Sequence, residues 1–361
     1  MAKKNVIWFE SLTPKQTMLF LAIGKILKSY GFEILYTTRE HDYIQDIFST
    51  NNIQPKSMGE YGGSTLKGKL IASASRMLEL SEYIADYKEN IIGAVSFSSP
   101  DASRVAFGLG IPLILLNDTS HSTSVGRLTF SLARYLITPI SINKKSFVEM
   151  GANPKIIHQY KGVDEVEYIS GENYEKFLEF REKAKDKNKF YLVFRPEESF
   201  ASYMKDKESK PYLEILQHII ENYEGEIIVF PRYPQQKESI LEKFEGQIKI
   251  PTNGFYFLNL LSNAEVVITG GGTMGREAAL LGIPSITYFW RHLEPQIYIE
   301  NRGFPSYSIR TIEDTKKFIE KICSNPENYF VDTATQLRKM EKPSDILIPL
   351  LKKDKDISQY F

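Results

Sequence analysis

The sequence predicts an α/β protein built from two doubly wound, Rossmann-like parallel-sheet domains that face each other across a cleft. Short β-branched strands alternate with amphipathic helices along most of the chain, which is typical of parallel sheets with right-handed crossovers. A polar stretch rich in Glu and Lys interrupts this alternation at 162–188. At 361 residues the chain is also long for one core. We therefore expect domains at 1–165 and 166–335.

The first half opens with a β-α-β-α-β series and continues with further strand and helix pairs. Helix 12–30 is opened by Thr13-Pro14 and closed by Gly31, a typical start and stop. The predicted strands are 5–9, 32–37, 53–58, 92–97, 112–117 and 135–138, and the predicted helices are 12–30, 42–50, 66–88, 101–109, 123–134 and 143–150.

The second half repeats the alternation. Gly-Ile-Pro follows a predicted helix at 110–112 and again at 282–284, so in both halves a helix C-cap turns directly into a strand. The predicted strands are 190–194, 226–230, 248–250, 265–269, 285–288 and 306–309, and the predicted helices are 199–221, 236–244, 255–262, 273–281, 313–324 and 332–353.

The composition excludes several classes of protein. Lys plus Arg and Asp plus Glu both number 45, so no net charge points to a nucleic-acid binder. Cys323 is the single cysteine, which excludes an internal disulfide framework and a cysteine cluster for zinc. No apolar run reaches the 18 residues of a membrane span, and the N-terminus lacks a signal-peptide pattern. We expect a cytoplasmic protein.

The most informative stretch is a glycine turn between a strand and a helix. Val266–Thr269 reads as a buried strand, Gly270–Gly272 break it, and helix formers follow from Thr273. Glycines let a ligand approach the backbone, and the first N–H groups of a helix suit a phosphate or diphosphate. Glu277 lies one helical turn further on, where its carboxylate could accept hydrogen bonds from ribose hydroxyls.

Two other interpretations of this turn remain open. The glycines could serve only tight packing of strand against helix. Gly270-x-Gly272-x-x-Gly275 also matches the fingerprint of nicotinamide and flavin enzymes. That fingerprint normally follows the first strand of its domain, and an Asp or Glu normally follows the next strand. Here it falls late, and residues 288–291 contain no acid. We expect no cofactor, with the nucleotide serving as substrate.

Polar residues at the predicted strand ends supply further candidates, because ligands bind at the carboxyl ends of parallel strands. Arg195 and Arg232 follow strands of the second half, where guanidiniums can neutralise a diphosphate. Glu10, Asp118 and His121 follow strands of the first half and are the candidate catalytic bases. Any one of these residues could instead be an ordinary cap, turn or ion-pair residue.

Five motifs carry a resemblance: Asn-Asp-Thr at 117–119, Tyr-Lys-Gly-Val-Asp-Glu at 160–165, Arg-Pro-Glu-Glu-Ser at 195–199, Phe-Pro-Arg at 230–232 and Gly-Gly-Gly-Thr-Met-Gly-Arg-Glu-Ala-Ala-Leu-Leu-Gly at 270–282. With them the chain resembles, over nearly its whole length, the domain-of-unknown-function family 354, found chiefly in archaea. That family is grouped with the GT-B fold, which includes UDP-N-acetylglucosamine 2-epimerases and the N-acetylglucosaminyltransferase that makes lipid II.

The resemblance implies roles for particular residues. Gly271, Gly272 and Thr273 would hold the diphosphate of a nucleotide sugar, in a loop that includes Gly270 and Met274, and Glu277 would hold the ribose. The base would lie near Arg195 and the loop that contains Arg232. The first domain would bind the acceptor, and a C-terminal helix at 336–361 would cross back onto that domain.

The chain also departs from these relatives. Lipid II-type enzymes carry a Gly-Gly-x-x-Gly-His loop after their first strand, where this chain has residues 10–16 without histidine. The 2-epimerases use a histidine and two carboxylates around the sugar, and Phe194 and Asn117 stand near two of those places. These differences weaken the epimerase interpretation.

The leading hypothesis is metal-independent glycosyl transfer from a nucleotide-diphosphate sugar to an acceptor that the sequence does not identify. We expect the donor to be UDP-linked. A base would deprotonate the acceptor, and the glycine loop with the arginines would stabilise the leaving diphosphate. The alternatives are a UDP-N-acetylglucosamine 2-epimerase and a non-catalytic nucleotide-sugar-binding protein.

The predicted helix 66–88 raises the question of peripheral membrane contact. Lys67 and Lys69 lie among Leu70, Ile71 and Leu78, and basic amphipathic helices can lie on anionic membranes. A lipid-linked acceptor would fit this arrangement. Most helices of this pattern simply cover a core.

Overall fold

The structure is a computed structural model that describes residues 5–40, 42–63, 65–186, 190–198, 210–251, 257–289, 291 and 293–361. The chain divides into two compact units. Unit 1 comprises Met1–Tyr168 and Glu341–Phe361, and unit 2 comprises Ile169–Met340. None of the helices within the described ranges is long and apolar enough to cross a bilayer.

Unit 1 contains a seven-stranded sheet in which every pair of neighbouring strands is parallel. Its strands are β1 Val6–Glu10, β2 Glu33–Thr38, β3 Lys56–Ser57, β4 Ile91–Ser96, β5 Leu113–Leu116, β6 Tyr135–Pro139 and β7 Ile157–Tyr160. Its helices are α1 Pro14–Ser29, α2 Asp42–Thr50, α3 Leu66–Tyr87, α4 Pro100–Gly108, α5 Thr123–Thr129 and α6 Lys144–Glu149, and the short α7 Val166–Ile169 spans the boundary with unit 2.

The strand order of unit 1 is β3-β2-β1-β4-β5-β6-β7, so the chain reverses direction across the sheet between β1 and β4. Right-handed crossovers then place α1 and α2 on one face of the sheet and α3 to α6 on the other. Trp8 and Phe9 of β1 are both fully buried, as expected for a central strand covered on two faces.

Unit 2 contains a five-stranded parallel sheet with the order β12-β11-β10-β8-β9. The strand order reverses between β8 and β10. The elements from here to the C-terminus are α8 Glu172–Asp186, β8 Tyr191–Arg195, α9 Pro211–Asn222, β9 Glu226–Val229, α10 Pro234–Phe244, α11 Phe257–Ser262, β10 Ala264–Thr269, α12 Gly272–Leu280, β11 Ser285–Tyr288, α13 Glu294–Glu300, β12 Ser306–Ile309, α14 Ile312–Ser324, α15 Ala334–Arg338 and α16 Pro343–Lys353.

The C-terminal helix α16 belongs to unit 1, where it packs on β6 and β7. The Glu167 carboxylate holds its first turn, accepting a hydrogen bond from the Ser344 N–H and another from the Ser344 hydroxyl, both 2.8 Å long.

The predicted α/β class with two parallel sheets of Rossmann type is confirmed, but several element predictions were wrong. The polar stretch 162–188 contains the 15-residue helix α8, whose apolar stripe includes the buried Tyr174 and Phe177. Strand β7 was missed because two of its four residues are polar. The predicted strand 248–250 makes only an isolated bridge, between Lys249 and Ile228.

The predicted helix 332–353 is two helices, α15 and α16, and the second begins at Pro343, which favours a helix start. Predicted helices 199–221 and 255–262 lie partly outside the described residues, and their described parts are α9 and α11.

Candidate functional site

The glycine turn of unit 2 lies where the strand order reverses, between β8 and β10. Arg195 ends β8 and is paired in register with Thr269, which ends β10. The Gly270 N–H continues the ladder by donating to the Arg195 carbonyl at 2.9 Å. In open α/β sheets, ligands bind outside the carboxyl ends of the strands at this kind of reversal.

The three glycines of this turn meet different neighbours. A Cβ at Gly270 would lie 2.4 Å from the Glu197 Cβ and 2.6 Å from its backbone nitrogen. A Cβ at Gly271 would lie 2.6 Å from Nη2 of Arg232, and one at Gly272 would lie 2.6 Å from Nη1 of Arg276. Gly270 therefore serves close packing of backbone on backbone, whereas the next two glycines bring the chain against guanidinium groups.

Helix α12 begins at Gly272 with Gly271 as its N-cap, one residue earlier than predicted. The Gly271 N–H donates to the Thr269 hydroxyl at 3.1 Å. The next N–H groups, of Gly272, Thr273 and Met274, have no acceptor within the helix, because they belong to its first turn. All four residues from 271 to 274 are half-buried. The positive end of α12 is therefore accessible from solvent.

Arg232 is held in place by its neighbours at the strand ends. Its Nε donates to the Pro196 carbonyl at 2.8 Å, and its backbone N–H donates to Oε1 of Gln236 at 3.0 Å. Gln236 in turn donates to the Glu197 carbonyl at 2.9 Å. A guanidinium fixed by backbone carbonyls loses little conformational freedom when it binds an anion.

Arg276 is a site residue that the sequence analysis missed. It lies in the second turn of α12 and is 4% exposed. Helical spacing of i, i+4 brings its guanidinium back over Gly272. This spacing within the Gly-Gly-Gly-Thr-Met-Gly-Arg motif was the signal that could have identified it.

Glu197 and Tyr288 form a second feature that the sequence analysis missed. The Tyr288 hydroxyl donates to the buried Glu197 carboxylate at 2.9 Å. Burial raises the pKa of Glu197, and the hydrogen bond from Tyr288 opposes that rise. The pair fixes the 195–198 loop, whose backbone packs against Gly270.

Thr273, Met274 and Glu277 lie in the first two turns of α12, and Arg195 ends β8, in register with Thr269. Thr273 and Glu277 share one face of the helix, because they are four residues apart. Glu277 is 6% exposed and is therefore more enclosed than the half-buried Thr273.

In unit 1, Glu10 ends β1 at the corresponding reversal of strand order. Its carboxylate is buried and forms an ion pair with Arg76 at 2.8 Å, and Arg76 also approaches Asp101 at 3.4 Å. Burial raises the pKa of Glu10, while Arg76 acts to lower it. Glu10 is thus part of an enclosed ion-pair cluster that joins β1, α3 and α4.

Asp118 belongs to a different cluster, centred on Lys15 of α1. The Lys15 ammonium lies 2.6 Å from Asp118, 2.6 Å from Asp164 and 3.6 Å from Glu165, and 4.6 Å from the centre of the Phe97 ring. The Asp118 side chain is the most exposed of the three carboxylates, at 12%. His121 is half-buried in the same loop.

Asp164 is fully enclosed in this cluster and also accepts a hydrogen bond from the Tyr160 hydroxyl. Burial raises its pKa to about 6, against the lowering effect of Lys15. The sequence analysis did not select Lys15, Asp164 or Glu165 as site residues, because Lys15 is far from the other two in the chain and meets them only in the fold.

Comparisons with known proteins identify the family and the fold. The family described as "Protein of unknown function (DUF354)" matches residues 6–351, which confirms the resemblance. The uncharacterized protein MJ0665 of Methanocaldococcus jannaschii is 30% identical over 294 residues, which are 80% of this chain and 82% of that protein.

Two solved structures have the same fold. The UDP-GlcNAc 2-epimerase of Methanocaldococcus jannaschii, in complex with UDP-GlcNAc and UDP, aligns with a TM-score of 0.70 and 18% identity over 97% of this chain and 100% of its own. Anabaena Alr3699/HepE, in complex with UDP and glucose, aligns with a TM-score of 0.62 and 12% identity over 96% of this chain and 98% of its own. These similarities establish a GT-B fold.

A first prediction separates the packing glycine from its neighbour. Gly270→Ala should lower the free energy of unfolding by about 2 kcal/mol or more, because the new Cβ meets the Glu197 backbone. Gly271→Ala should cost about 1 kcal/mol or less, because the new Cβ comes within 3 Å only of the Nη2 end of the Arg232 side chain and of no backbone atom. Urea denaturation of both variants measures the difference. Equal costs would contradict the assignment of Gly270 to packing.

A second prediction concerns pH. The pKa of Asp164 is about 6 in the folded protein and has its ordinary value of 3.8 in the unfolded chain. The folded protein therefore binds this proton more tightly. The free energy of unfolding should therefore fall by about 1 to 3 kcal/mol as pH rises from about 4 to about 6. Asp164→Asn should remove this part of the fall in urea denaturation, whereas Asp86→Asn at an exposed site of α3 should keep it. An unchanged slope in Asp164→Asn would contradict the prediction.

Proposed function

The chain belongs to the DUF354 family, and from that premise we propose that it binds a nucleotide-diphosphate sugar at the N-terminus of α12 and transfers the sugar to an acceptor hydroxyl. One observation carries the proposal. The accessible first turn of α12 lies against two guanidinium groups, those of Arg232 and Arg276. The helix N-terminus and the guanidinium groups favour the same kind of ligand, an anion with several phosphate oxygens.

A diphosphate matches this arrangement better than a single carboxylate. Backbone N–H groups of Gly272, Thr273 and Met274 would donate to one phosphate, and the helix dipole would favour its charge. Arg232 and Arg276 would each offer a planar pair of donors, which fits phosphate oxygens. The Gly271 N–H already donates to the Thr269 hydroxyl, so it would not bind the phosphate. Gly271 would instead let the phosphate approach the backbone closely, because it has no side chain.

The remaining residues of the predicted binding set take roles around the diphosphate. Glu277 would accept hydrogen bonds from the ribose hydroxyls, and Arg195 with the 231–233 loop would border the base. Uracil is the base we propose, because the two solved structures are complexes with UDP-GlcNAc and UDP, and with UDP and glucose.

Glycosyl transfer needs a base on the acceptor side and charge stabilisation on the leaving group. We assign the base to Asp118. Its carboxylate reaches solvent, and the Lys15 ammonium in contact stabilises its negative charge. In the step, the acceptor hydroxyl gives its proton to Asp118 while its oxygen bonds to the anomeric carbon. The bond from that carbon to the diphosphate breaks, and the released charge falls on α12 and the arginines. Glu10 is too enclosed for this role.

A second candidate reaction is 2-epimerisation of a UDP-sugar. Two observations favour it: the similarity to the Methanocaldococcus epimerase, and the cluster of Lys15 with three carboxylates, which offers acid and base groups without an acceptor. Phe194 weighs against it, because this fully buried ring stacks on Tyr288 at the place where the resemblance to the 2-epimerases implies a histidine.

The donor site is tested by isothermal titration calorimetry with UDP. Arg232→Ala and Arg276→Lys should each weaken UDP binding about tenfold to a hundredfold, because each removes charge-assisted hydrogen bonds to phosphate. Arg338→Ala, an exposed arginine at the end of α15 in the same unit, is the matched control and should bind UDP normally. Wild-type protein that does not bind UDP, or variants that bind it fully, would refute the donor site.

The reaction is tested with UDP-GlcNAc and no added acceptor, followed by proton NMR. The transferase account predicts slow UDP release with water as acceptor and no N-acetylmannosamine product. Asp118→Asn should slow the release about a hundredfold while UDP affinity stays the same, because the base acts only in the chemical step. Appearance of the mannosamine product would instead establish the epimerase, and UDP binding with no turnover would leave a binding protein.

A further inference from the structure

One side of unit 1 exposes an unusual amount of apolar surface. Helix α3 has 22 residues but buries only Arg76, Leu80 and Ile84. Large apolar side chains that are more than half exposed project from α3 and from the next two helices: Leu66, Leu70, Ile71, Leu78, Phe107 and Leu128. Isolated exposed apolar residues are common, but a group on adjacent helices marks an interaction surface.

These residues lie on the same side of unit 1. The direction of the crossovers places α3, α4 and α5 on one face of the sheet. Helix α3 packs against α4, and α4 packs against α5. The inner sides of α3 and α4 contribute to one apolar core, which includes Leu80, Ile84 and Val105. The exposed apolar side chains therefore form the outer surface of one helical layer.

The exposed charged residues are basic in the first half of α3 and on α4 and α5, whereas the second half of α3 exposes Glu79, Glu82 and Asp86. Lys67, Arg104 and Arg127 are exposed among the apolar side chains, and Lys69 is half-buried. In the segments 66–78, 100–108 and 123–129, all of which the structure describes, the only acid is Asp101, which is buried. Acids appear on α3 only from Glu79 onward. We call the exposed residues of these three segments the basic apolar face.

We propose that the basic apolar face docks unit 1 onto an anionic lipid bilayer. Leucine, isoleucine and phenylalanine side chains would enter the headgroup region, and the cations would bind lipid phosphates. Charge complementarity favours an anionic bilayer, because Lys67, Arg104 and Arg127 are exposed among apolar side chains and the three segments expose no acid. An anionic bilayer accepts scattered cations without matched geometry.

This docking does not depend on the reaction that unit 2 supports. If the proposed transferase function also holds, the docked surface identifies the acceptor as a lipid-linked hydroxyl compound, and that single point rests on the proposed function. Docking and donor binding are measured separately, so failure of one leaves the other standing.

The test is sedimentation of the full chain with vesicles of phosphatidylglycerol and phosphatidylcholine, compared with phosphatidylcholine alone. The wild-type protein should sediment with the anionic vesicles only, and less so as salt is raised. A variant with Leu70→Ser, Ile71→Ser and Leu78→Ser should bind at least about tenfold more weakly. A variant with Lys67→Glu and Arg127→Glu should lose about fivefold or more for each charge.

The matched control carries Leu178→Ser and Lys176→Glu on α8 of unit 2, where both residues are also exposed. It should sediment like the wild type, and thermal melts should show that all variants fold. Absence of binding to anionic vesicles, equal binding to neutral ones, or equal loss in the control would overturn the proposal. A dimer in light scattering that the leucine variant dissociates would also overturn it, in favour of a second copy of the chain.

Discussion

The candidate site depends on one close contact, that of Gly270 with the backbone of Glu197. These two residues follow the adjacent strands β10 and β8, at the point where the strand order of unit 2 reverses. A side chain at 270 would hold the two loops apart. With glycine there, the chain turns within two residues, Gly270 and Gly271, and α12 starts directly at the sheet edge. The positive end of the helix is thereby placed beside the loops that carry the arginines.

The charges at the site then determine which class of ligand it favours. Two guanidiniums adjoin the first turn of a helix, and all three features repel cations and favour an anion. The carbonyls of Pro196 and Glu197 hold Arg232 and Gln236 in position, so the surroundings of the anion are organised by backbone groups of the same loop that packs on Gly270. In unit 1 the two candidate carboxylates, Glu10 and Asp118, lie in different surroundings. Glu10 is buried in its ion pair with Arg76, whereas the side chain of Asp118, paired with Lys15, is more exposed.

The sequence predicted what local patterns determine. The strand, glycine turn and helix at 264–282 follow from β-branched residues, glycines and helix formers that are adjacent in the chain. Helix α8 escaped prediction because most of its residues are charged, and its narrow apolar stripe gives a weak signal. Lys15, Asp118 and Asp164 could not be grouped from the sequence, because only the parallel pairing of distant strands brings them together. Arg276 could have been predicted from the sequence, because it lies four residues after Gly272 on the predicted helix.

The central claim is that the turn at 270–272 and the first turn of α12 hold the diphosphate of a UDP-sugar. A crystal structure of the full chain with bound UDP tests it most directly. The account predicts electron density for a phosphate within hydrogen-bond distance of the Gly272 and Thr273 backbone nitrogens and of the Arg232 and Arg276 guanidiniums. Density for UDP anywhere else, or a turn filled by side chains in its presence, would contradict the account.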